Sequence, residues 1–205
     1  MSNGNTVGSL TEVQKSIIIG CLLGDGYMHC KTNAYLQITH SLKQKELVDW
    51  KYEKLKNLVN TMPSYYFNNG RHCYRFLTRS LPDITSFYQK FYRNDKKIIP
   101  KGVKIDGLTL AVWFMDDGSR SRSSVYLNTQ QFSRNNQMIL RKILKKECGI
   151  KSTLNIDKKY FRLRIRVESI FKLKKLIEPF LIPSFKYKLP HNPVTTDVRR
   201  NAGLR

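Results

Sequence analysis

Hydrophobic and polar positions recur along the chain with two different periods, and the changes of period predict where helices and strands lie. An apolar run at residues 17–23 follows two candidate capping boxes, Ser9 with Glu12 and Thr11 with Gln14, and predicts a first helix that ends near Leu23. Residues 27–31 and 34–40 alternate as the two strands of a hairpin do. Apolar positions after Ser41 then recur at helical spacing.

A second hairpin and a third helix complete the first half of the chain. Residues 64–67 and 71–79 predict two strands around a turn at residues 68–70. Pro82 predicts the start of the helix that follows. A loop from residue 94 to about residue 107 is expected to join the two halves.

The second half repeats the order of the first. Its predicted elements are a helix at 108–117, strands at 121–125 and 125–132, a helix at 134–148, strands at 151–157 and 160–167, and a helix at 169–181. Gly149 is the expected stop of the helix at 134–148. On that helix Ile139, Ile143 and Leu144 are predicted to face inward.

Each half therefore has the order αββαββα, which predicts an α+β fold with antiparallel sheets. We expect the two halves to be related by a pseudo-twofold axis and packed through their opening helices. The predicted division is a flexible lead at 1–8, a first half at 9–93, a linker at 94–107, a second half at 108–190 and a basic tail at 191–205.

Arginines recur on one face of two predicted strands. The two sets are Arg71, Arg75 and Arg79 in the first half and Arg162, Arg164 and Arg166 in the second. Apolar or aromatic residues occupy the opposite face, so each sheet is expected to have one buried and one cationic side. A strand face that is merely solvated would give the same pattern.

The charge of the chain favours a nucleic-acid-binding sheet over that alternative. Lys and Arg number 37 against 15 Asp and Glu, a formal net charge of +22, which suits a polyanionic partner. A hydrophobic content of 40% is too high for a disordered basic tail. The four cysteines have no metal-ligand spacing and predict reduced, mostly packed thiols of an intracellular protein.

The most informative motif is an apolar run that ends in an acid and a glycine, and it occurs twice. The first copy ends in Asp25-Gly26 and the second in Asp117-Gly118. Gly24, Gly26 and Gly118 are expected to take the positive φ angles that end helices. A core helix followed by an Asp-Gly turn explains either copy alone, but two copies in one chain favour a shared function.

An acid at the C-terminal end of a helix is disfavoured by the helix dipole, so a compensating cation is expected there. If the opening helices pair, Asp25 and Asp117 emerge together beneath two basic sheets. Paired carboxylates that face a phosphate backbone favour divalent metal ions, because Mg²⁺ takes carboxylate, phosphate and water oxygens. Closely spaced metal ions also stabilise both oxygens of an in-line displacement.

The two segments resemble the signature helices of LAGLIDADG homing endonucleases, in the single-chain form with two motifs. The resemblance covers nearly the whole chain, and residues 96–100, 127–130 and 187–190 are similar to an intron-encoded mitochondrial member. Leu23 and Met115 stand where the family's pattern has an acid. That acid is not the metal ligand, and the acid that is the ligand is present in both copies.

The resemblance implies a homing-endonuclease fold and a role for residues at each motif. Asp25 and Asp117 would hold Mg²⁺, or Mn²⁺ in its place, with the backbone carbonyls of Gly24 and Asp116 as additional ligands. The other catalytic candidates are Lys97 and Lys188, which would lie beside the scissile phosphates and offset developing charge, and His40 and Gln130, which would order water.

The resemblance also implies a long, asymmetric double-stranded DNA target, cut by a monomer because one chain supplies both acids. Sheets of this kind read base edges in the major groove, while lysines fix the register on phosphates. The predicted DNA-binding residues are Gln37, Arg71, Arg75, Arg79, Arg120, Arg122, Asn128, Arg162, Arg164 and Arg166.

Three functions remain open from the sequence. The leading one is a Mg²⁺-dependent, site-specific endonuclease of intron or intein homing. The alternative is an RNA-binding maturase that assists splicing of its group I host intron, since the same cationic scaffold serves both. A catalytically inactive DNA-binding regulator is disfavoured, because both acids are intact. We expect an intracellular protein that is either encoded in an organelle, mitochondrion or chloroplast, or present in a prokaryotic cytoplasm. Residues 1–8 do not resemble a targeting or secretion signal.

Overall fold

The computed structural model describes residues 9–68 and 70–190, with the side chain of Asn68 not included. The lead at 1–8, the tail at 191–205 and Asn69 in the predicted turn lie outside the described residues. The chain divides into two compact units, Met1–Pro100 and Lys101–Arg205.

The first unit contains three α-helices and six strands among its described residues. The helices are α1 (Glu12–Leu23), α2 (Lys45–Leu55) and α3 (Pro82–Phe91). The strands are β1 (Tyr27–Cys30), β2 (Ala34–Ser41), β3 (Ser64–Asn68), β4 (Arg71–Leu77), β5 (Tyr92–Arg93) and β6 (Lys96–Lys97). Strands β1 to β4 form an antiparallel sheet in the order β1-β2-β4-β3, and β5 pairs with β6 in a separate short hairpin.

The second unit repeats this plan. The helices are α4 (Gly107–Asp117), α5 (Arg134–Cys148) and α6 (Ile170–Ile177), and a 3₁₀ segment follows at Pro183–Lys188. The strands are β7 (Gly118–Ser121), β8 (Ser124–Leu127), β9 (Ser152–Asp157) and β10 (Tyr160–Ile165). Their antiparallel order, β7-β8-β10-β9, corresponds strand for strand to the first sheet. The predicted α+β class with antiparallel sheets is confirmed.

Local capping explains why several helix ends agree with the sequence prediction. Of the two candidate capping boxes before α1, Thr11 with Gln14 is the one that forms, and its helix ends at Leu23 as expected. Helix α5 begins after Ser133, whose side chain accepts a hydrogen bond from the amide of Asn136. It ends at Gly149, which has the left-handed φ of 63°.

The signature helices α1 and α4 are buried over most of their length. In α1 the stretch from Ile17 to Leu23 leaves only Ile19 partly accessible, and in α4 the residues from Thr109 to Asp116 are all buried. Neither helix, nor any other in the described parts of the chain, is both long and apolar enough to cross a membrane.

Some predicted strand boundaries are wrong. The second unit has no strand at residue 122 among its described elements, because Arg122 takes a positive φ of 47° in the turn between β7 and β8. The loop predicted from residue 94 begins instead with the β5–β6 hairpin, whose turn contains Asn94 and Asp95 at positive φ. These asparagine and aspartate residues tolerate the left-handed conformation that such tight turns require.

The inward face predicted for α5 is also shifted. Ile139 and Ile143 are only half-buried, whereas Leu140 and Leu144 are fully buried. The cause is Gln137, which is 1% exposed and donates hydrogen bonds to the carbonyls of Phe132 and Phe161. Because this polar residue has partners inside, it can belong to the buried stripe with the two leucines.

The glycines after the two acids serve close packing, not positive φ. Positive φ among described glycines occurs at Gly70, Gly102 and Gly149, so the expectation for Gly24, Gly26 and Gly118 is wrong. A Cβ on Gly26 would lie 2.7 Å from the Cβ of Cys21, and one on Gly118 would overlap the carbonyl oxygen of Phe114. Any side chain at either place would force the structure beside the acid to shift.

Candidate active site

Asp25 follows the last turn of α1, and its side chain is about half exposed, at 47%. The backbone carbonyl just before it, Gly24 O, accepts a hydrogen bond from Lys97 Nζ at 2.9 Å. A lysine ammonium therefore lies at the negative end of the α1 dipole, where the sequence predicted a cation.

The β5–β6 hairpin holds Lys97 in this position. Tyr92 in β5 accepts a hydrogen bond at its hydroxyl from the amide of Met28 in β1, at 2.9 Å. The amide of Ile98 donates to Phe91 O at 2.7 Å. Burial raises the pKa of Tyr92, and its ring stacks on Tyr88 at 4.7 Å between centroids. The hairpin is thus fixed to the main sheet, although it is only two residues long on each side.

Beside Asp25, the first unit places a buried histidine and a buried lysine in a row. His40 Nδ1 lies 3.6 Å from Asp25 Oδ2, and His40 Nε2 lies 3.1 Å from Lys51 Nζ. His40 is 4% exposed and Lys51 is fully buried. When Lys51 is an ammonium it donates to Nε2, so the ring proton is on Nδ1 and faces the carboxylate.

In the second unit, another lysine contacts the C-terminal end of the signature helix α4. Lys188 is 7% exposed, and its Nζ donates to Met115 O at 2.5 Å and to Asp116 O at 3.1 Å. It comes from the 3₁₀ segment Pro183–Lys188, far along the chain from α4. The predicted lysines of both units therefore contact the carbonyl that precedes the predicted metal-binding acid.

The C-terminal carbonyls of α4 can be accounted for one by one. The last four carbonyls of a helix lack partners within it. Phe114 O accepts from the amide of Gly118, and Asp117 O accepts from the backbone amide and the side-chain amide of Asn128. Lys188 donates to the two carbonyls between them. The helix end is thus held together by residues from three different segments.

Two predicted residues of the second unit make contacts inside the protein. Asn128 Nδ2 donates to Asp117 O at 2.8 Å, so it positions the backbone at the acid. Gln130 Nε2 donates to Asp157 Oδ2 at 3.0 Å, at the tip of the β9–β10 hairpin. His40 thus lies at its acid, whereas the hydrogen bond that the structure gives Gln130 is to Asp157 and not to Asp117.

The oxygen atoms around the two acids fit a hard divalent cation. The first unit offers the carboxylate of Asp25 and the carbonyl of Gly24, and the second offers the carboxylate of Asp117 and the carbonyl of Asp116. Within residues 9–68 and 70–190 no group of three or more His, Cys, Asp or Glu forms a closed metal site. Mg²⁺ commonly takes one or two carboxylates and fills its remaining positions with water and substrate phosphate oxygens.

Each sheet presents an arginine stacked on a tyrosine. Arg75 Cζ lies 3.6 Å from the centroid of the Tyr66 ring, and Arg162 Cζ lies 3.9 Å from that of Tyr126. Gln37 shares the face of Arg75, because Arg75 pairs with Thr39 two positions along β2. The stacking fixes the guanidinium groups at the sheet surface.

The other predicted arginines are distributed less regularly. Arg71 lies at the exposed start of β4, Arg120 in β7 and Arg122 in the β7–β8 turn are exposed, and Arg164 is half-buried in β10. Arg79 and Arg166 lie beyond the ends of β4 and β10, so each row is shorter than predicted. Arg79 donates to Asn57 O at 2.9 Å, and Arg166 contacts Glu168 at 3.3 Å.

Lys51 belongs to this site but was not predicted from the sequence. It lies three positions after Val48 and four before Leu55, which places it on the apolar face of α2. A lysine at such a position is an available signal, because lysine is rarely buried without a partner. The sequence does not show which partner it has.

The sequence matches one protein-family model and is similar to several known proteins. A protein-family model described as the LAGLIDADG DNA endonuclease family matches residues 15–173. The DNA endonuclease I-ChuI of Chlamydomonas applanata is 29% identical over 210 residues, covering 88% of this chain and 96% of the relative. The cytochrome b mRNA maturase bI2 of Saccharomyces cerevisiae is 30% identical over 209 residues, covering 90% of this chain. The chain spans 49% of that maturase's length.

A solved structure has the same fold. The homing endonuclease I-WcaI, bound to its DNA recognition sequence, superimposes with a TM-score of 0.82 at 23% identity. The superposition covers 94% of this chain and 96% of the other. The homing-endonuclease fold expected from the two motifs is therefore confirmed.

Proposed function

The chain belongs to the LAGLIDADG DNA endonuclease family, and from this membership we propose that it is a site-specific endonuclease that hydrolyses both strands of a DNA duplex. The observation that carries the proposal is the matched end of the two signature helices. Each ends in an aspartate that is preceded by a carbonyl in contact with a lysine ammonium. We propose Asp25 and Asp117 as the acids of a Mg²⁺-dependent reaction.

We propose the following roles for the chain's own residues. The carboxylates of Asp25 and Asp117, with the carbonyls of Gly24 and Asp116, would hold the cation. A divalent cation supplies a more acidic water and a counter-charge for the leaving oxygen. His40 would orient the Asp25 carboxylate through its Nδ1 proton, and Lys51 would fix that tautomer from behind.

Lys97 and Lys188 would provide positive charge beside the phosphodiester. Each lysine ammonium donates a hydrogen bond to the backbone carbonyl of the residue just before a proposed ligand acid. An ammonium in a partly dehydrated site stabilises charge that develops in the transition state more strongly than it would in water. The two lysines come from equivalent places at the ends of the two units, which suits one centre for each strand.

The sheets would bind the duplex through their arginine faces. Arg75 and Arg162 are held on tyrosine rings, and a fixed guanidinium is suited to bidentate contact with guanine. The chain's high positive charge would add phosphate contacts that do not depend on sequence. Because one chain carries both acids, we propose that the active species is a monomer with an asymmetric target.

The test is a cleavage selection from a random duplex library in the presence of Mg²⁺, followed by variants on the selected target. Asp25→Asn and Asp117→Asn should each abolish double-strand cleavage and keep duplex binding, because the acids hold the cation and are not the binding surface. Replacement of Mg²⁺ by Ca²⁺ should preserve binding and slow or stop cutting. Full cleavage by either variant would refute the assignment of the acids.

A second candidate function is assistance to RNA splicing. It is favoured by one observation, the 30% identity to an mRNA maturase over most of this chain. A splicing cofactor needs a shaped cationic surface, while the RNA supplies the chemistry. If wild type and the Asp25→Asn/Asp117→Asn variant accelerate splicing of the host intron equally, the chain has this function independently of its acids.

A further inference from the structure

The second unit has a cationic pocket at the edge of its sheet, beside α5 and the first residue of β9. Its volume is about 290 Å³. Five cations line it, Arg141, Lys142, Lys145, Lys151 and Arg166. Glu168 contacts Lys151 at 3.1 Å and Arg166 at 3.3 Å, and this one acid leaves the pocket with a large excess of positive charge.

One wall of the pocket is fixed in place. Arg141 Nε and Nη2 donate to Ser152 O at 3.1 Å and 2.9 Å, so one backbone carbonyl holds two nitrogens of the guanidinium. Arg141 Nη1 lies 3.4 Å from the sulfur of Met138, which also lines the pocket. A cation held in this way loses little side-chain entropy when an anion binds.

The hydroxyl of Ser152 points to a ligand independently of the charges. Ser152 is 7% exposed and lines the pocket, and within residues 9–68 and 70–190 its Oγ has no hydrogen-bond partner. A buried hydroxyl without a partner is costly. An anion in the pocket would accept its hydrogen bond and remove that cost.

Ser152 lies on the other side of the sheet from Arg164, whereas Lys151 and Arg166 continue β9 and β10 at the edge of the pocket. Ser152 pairs with Ile165, a fully buried residue on the side where α5 packs, whereas the next residue, Thr153, pairs with Arg164. Residues opposite each other in antiparallel strands share a face, and successive residues point to opposite faces. A duplex that lies on Arg164 therefore cannot contact Ser152.

We propose that this pocket binds a backbone phosphate of a structured RNA. Phosphate oxygens suit both the fixed guanidinium and the partnerless hydroxyl. The choice of RNA rests on the splicing function considered above, since the DNA would occupy the arginine face. The chain would then carry two nucleic-acid surfaces in its second unit, the arginine face of the sheet and this pocket at the sheet edge.

The test measures binding of a labelled RNA hairpin to the full chain while unlabelled random-sequence DNA duplex saturates the arginine face. Lys145→Gln should weaken hairpin binding about 8-fold at about 0.1 M salt, because one lost phosphate contact changes the salt slope by about 0.9. Ser152→Ala should weaken it about tenfold or more, the value of one hydrogen bond to a charged group. It should do so without lowering the melting temperature of the free protein, because it removes a hydroxyl that had no partner.

Lys146→Gln is the matched control, because Lys146 is an exposed lysine on the same helix that does not line the pocket. The proposal is overturned if Lys145→Gln and Ser152→Ala lose no more hairpin affinity than this control. It is also overturned if they weaken DNA duplex binding as much as hairpin binding, since the pocket would then belong to the DNA surface. If Lys145→Gln and Ser152→Ala reduce hairpin binding but the wild-type chain does not accelerate splicing, the splicing function is refuted and the phosphate site still stands.

Discussion

Replacement of Lys188 by methionine tests whether this lysine holds the end of α4 together. Methionine keeps an unbranched apolar stem and removes the ammonium that donates to Met115 O and Asp116 O. Both carbonyls lie in the last turn of the helix, where no intrahelical donor is available. We expect Lys188→Met to destabilise the second unit even in the absence of metal and DNA.

The magnitude follows from the two hydrogen bonds and the burial. A buried carbonyl that loses its donor costs about 1–3 kcal/mol, and the two together are partly offset because an ammonium is no longer buried. We therefore expect a loss of about 2–3 kcal/mol in the free energy of unfolding. For a chain of this size that corresponds to a fall of about 4–12 °C in Tm.

Thermal unfolding of Lys188→Met beside Lys186→Met provides the assay. Lys186 is an exposed lysine in the same 3₁₀ segment, so its replacement should change stability by no more than about 0.5 kcal/mol. Equal melting temperatures for the two variants would refute the capping role of Lys188. Cleavage should then be compared at a temperature at which both variants are folded, which separates a loss of chemistry from a loss of structure.

Three further perturbations have definite expected outcomes. Gln137→Leu should destabilise the second unit by about 2–4 kcal/mol in a urea titration, because it leaves the carbonyls of Phe132 and Phe161 without their donor; the exposed Asn135→Ala is its control. Burial raises the pKa of Cys148 from 9.0 to about 11, so the unfolded state releases this proton first as the pH rises. Relative to Cys148→Val, the wild type should lose about 2–3 kcal/mol of unfolding free energy between about pH 9 and pH 11, and a parallel pH dependence in both proteins would contradict this. Arg75→Gln should relax the choice of base at particular target positions, whereas an equal loss of affinity for every target variant would make Arg75 a phosphate contact.

The sequence predicted helices best where their ends are set by neighbouring residues. The start of α1 depends on Thr11 and Gln14, and the end of α5 depends on Gly149, so a short window contains the cause. The same holds for the alternation in β10, where Leu163 and Ile165 are buried. Strand ends were harder to predict, because Arg79 and Arg166 continue the pattern of charge beyond the last residues of β4 and β10.

The surroundings of the acids depended on contacts that no local pattern shows. Lys97 is 73 residues from Gly24, and Lys188 is 72 residues from Asp116, so only the folded chain brings these pairs together. The resemblance to a known family pointed to both lysines and to the carbonyls of Gly24 and Asp116, but not to the hydrogen bonds between them. Lys51 was missed for a related reason, since its partner His40 lies on a neighbouring strand.

The contacts of Lys97 and Lys188 have a consequence for the order of events in catalysis. The two carbonyl oxygens proposed as metal ligands, Gly24 O and Asp116 O, each already accept a hydrogen bond from a lysine ammonium. A divalent cation at either carbonyl would have to compete with that ammonium, so its affinity would include the cost of moving the lysine. The displaced ammonium would stay near the acid, where a phosphate is a suitable counter-ion. The site would acquire its full attraction for the scissile strand only after the metal has arrived.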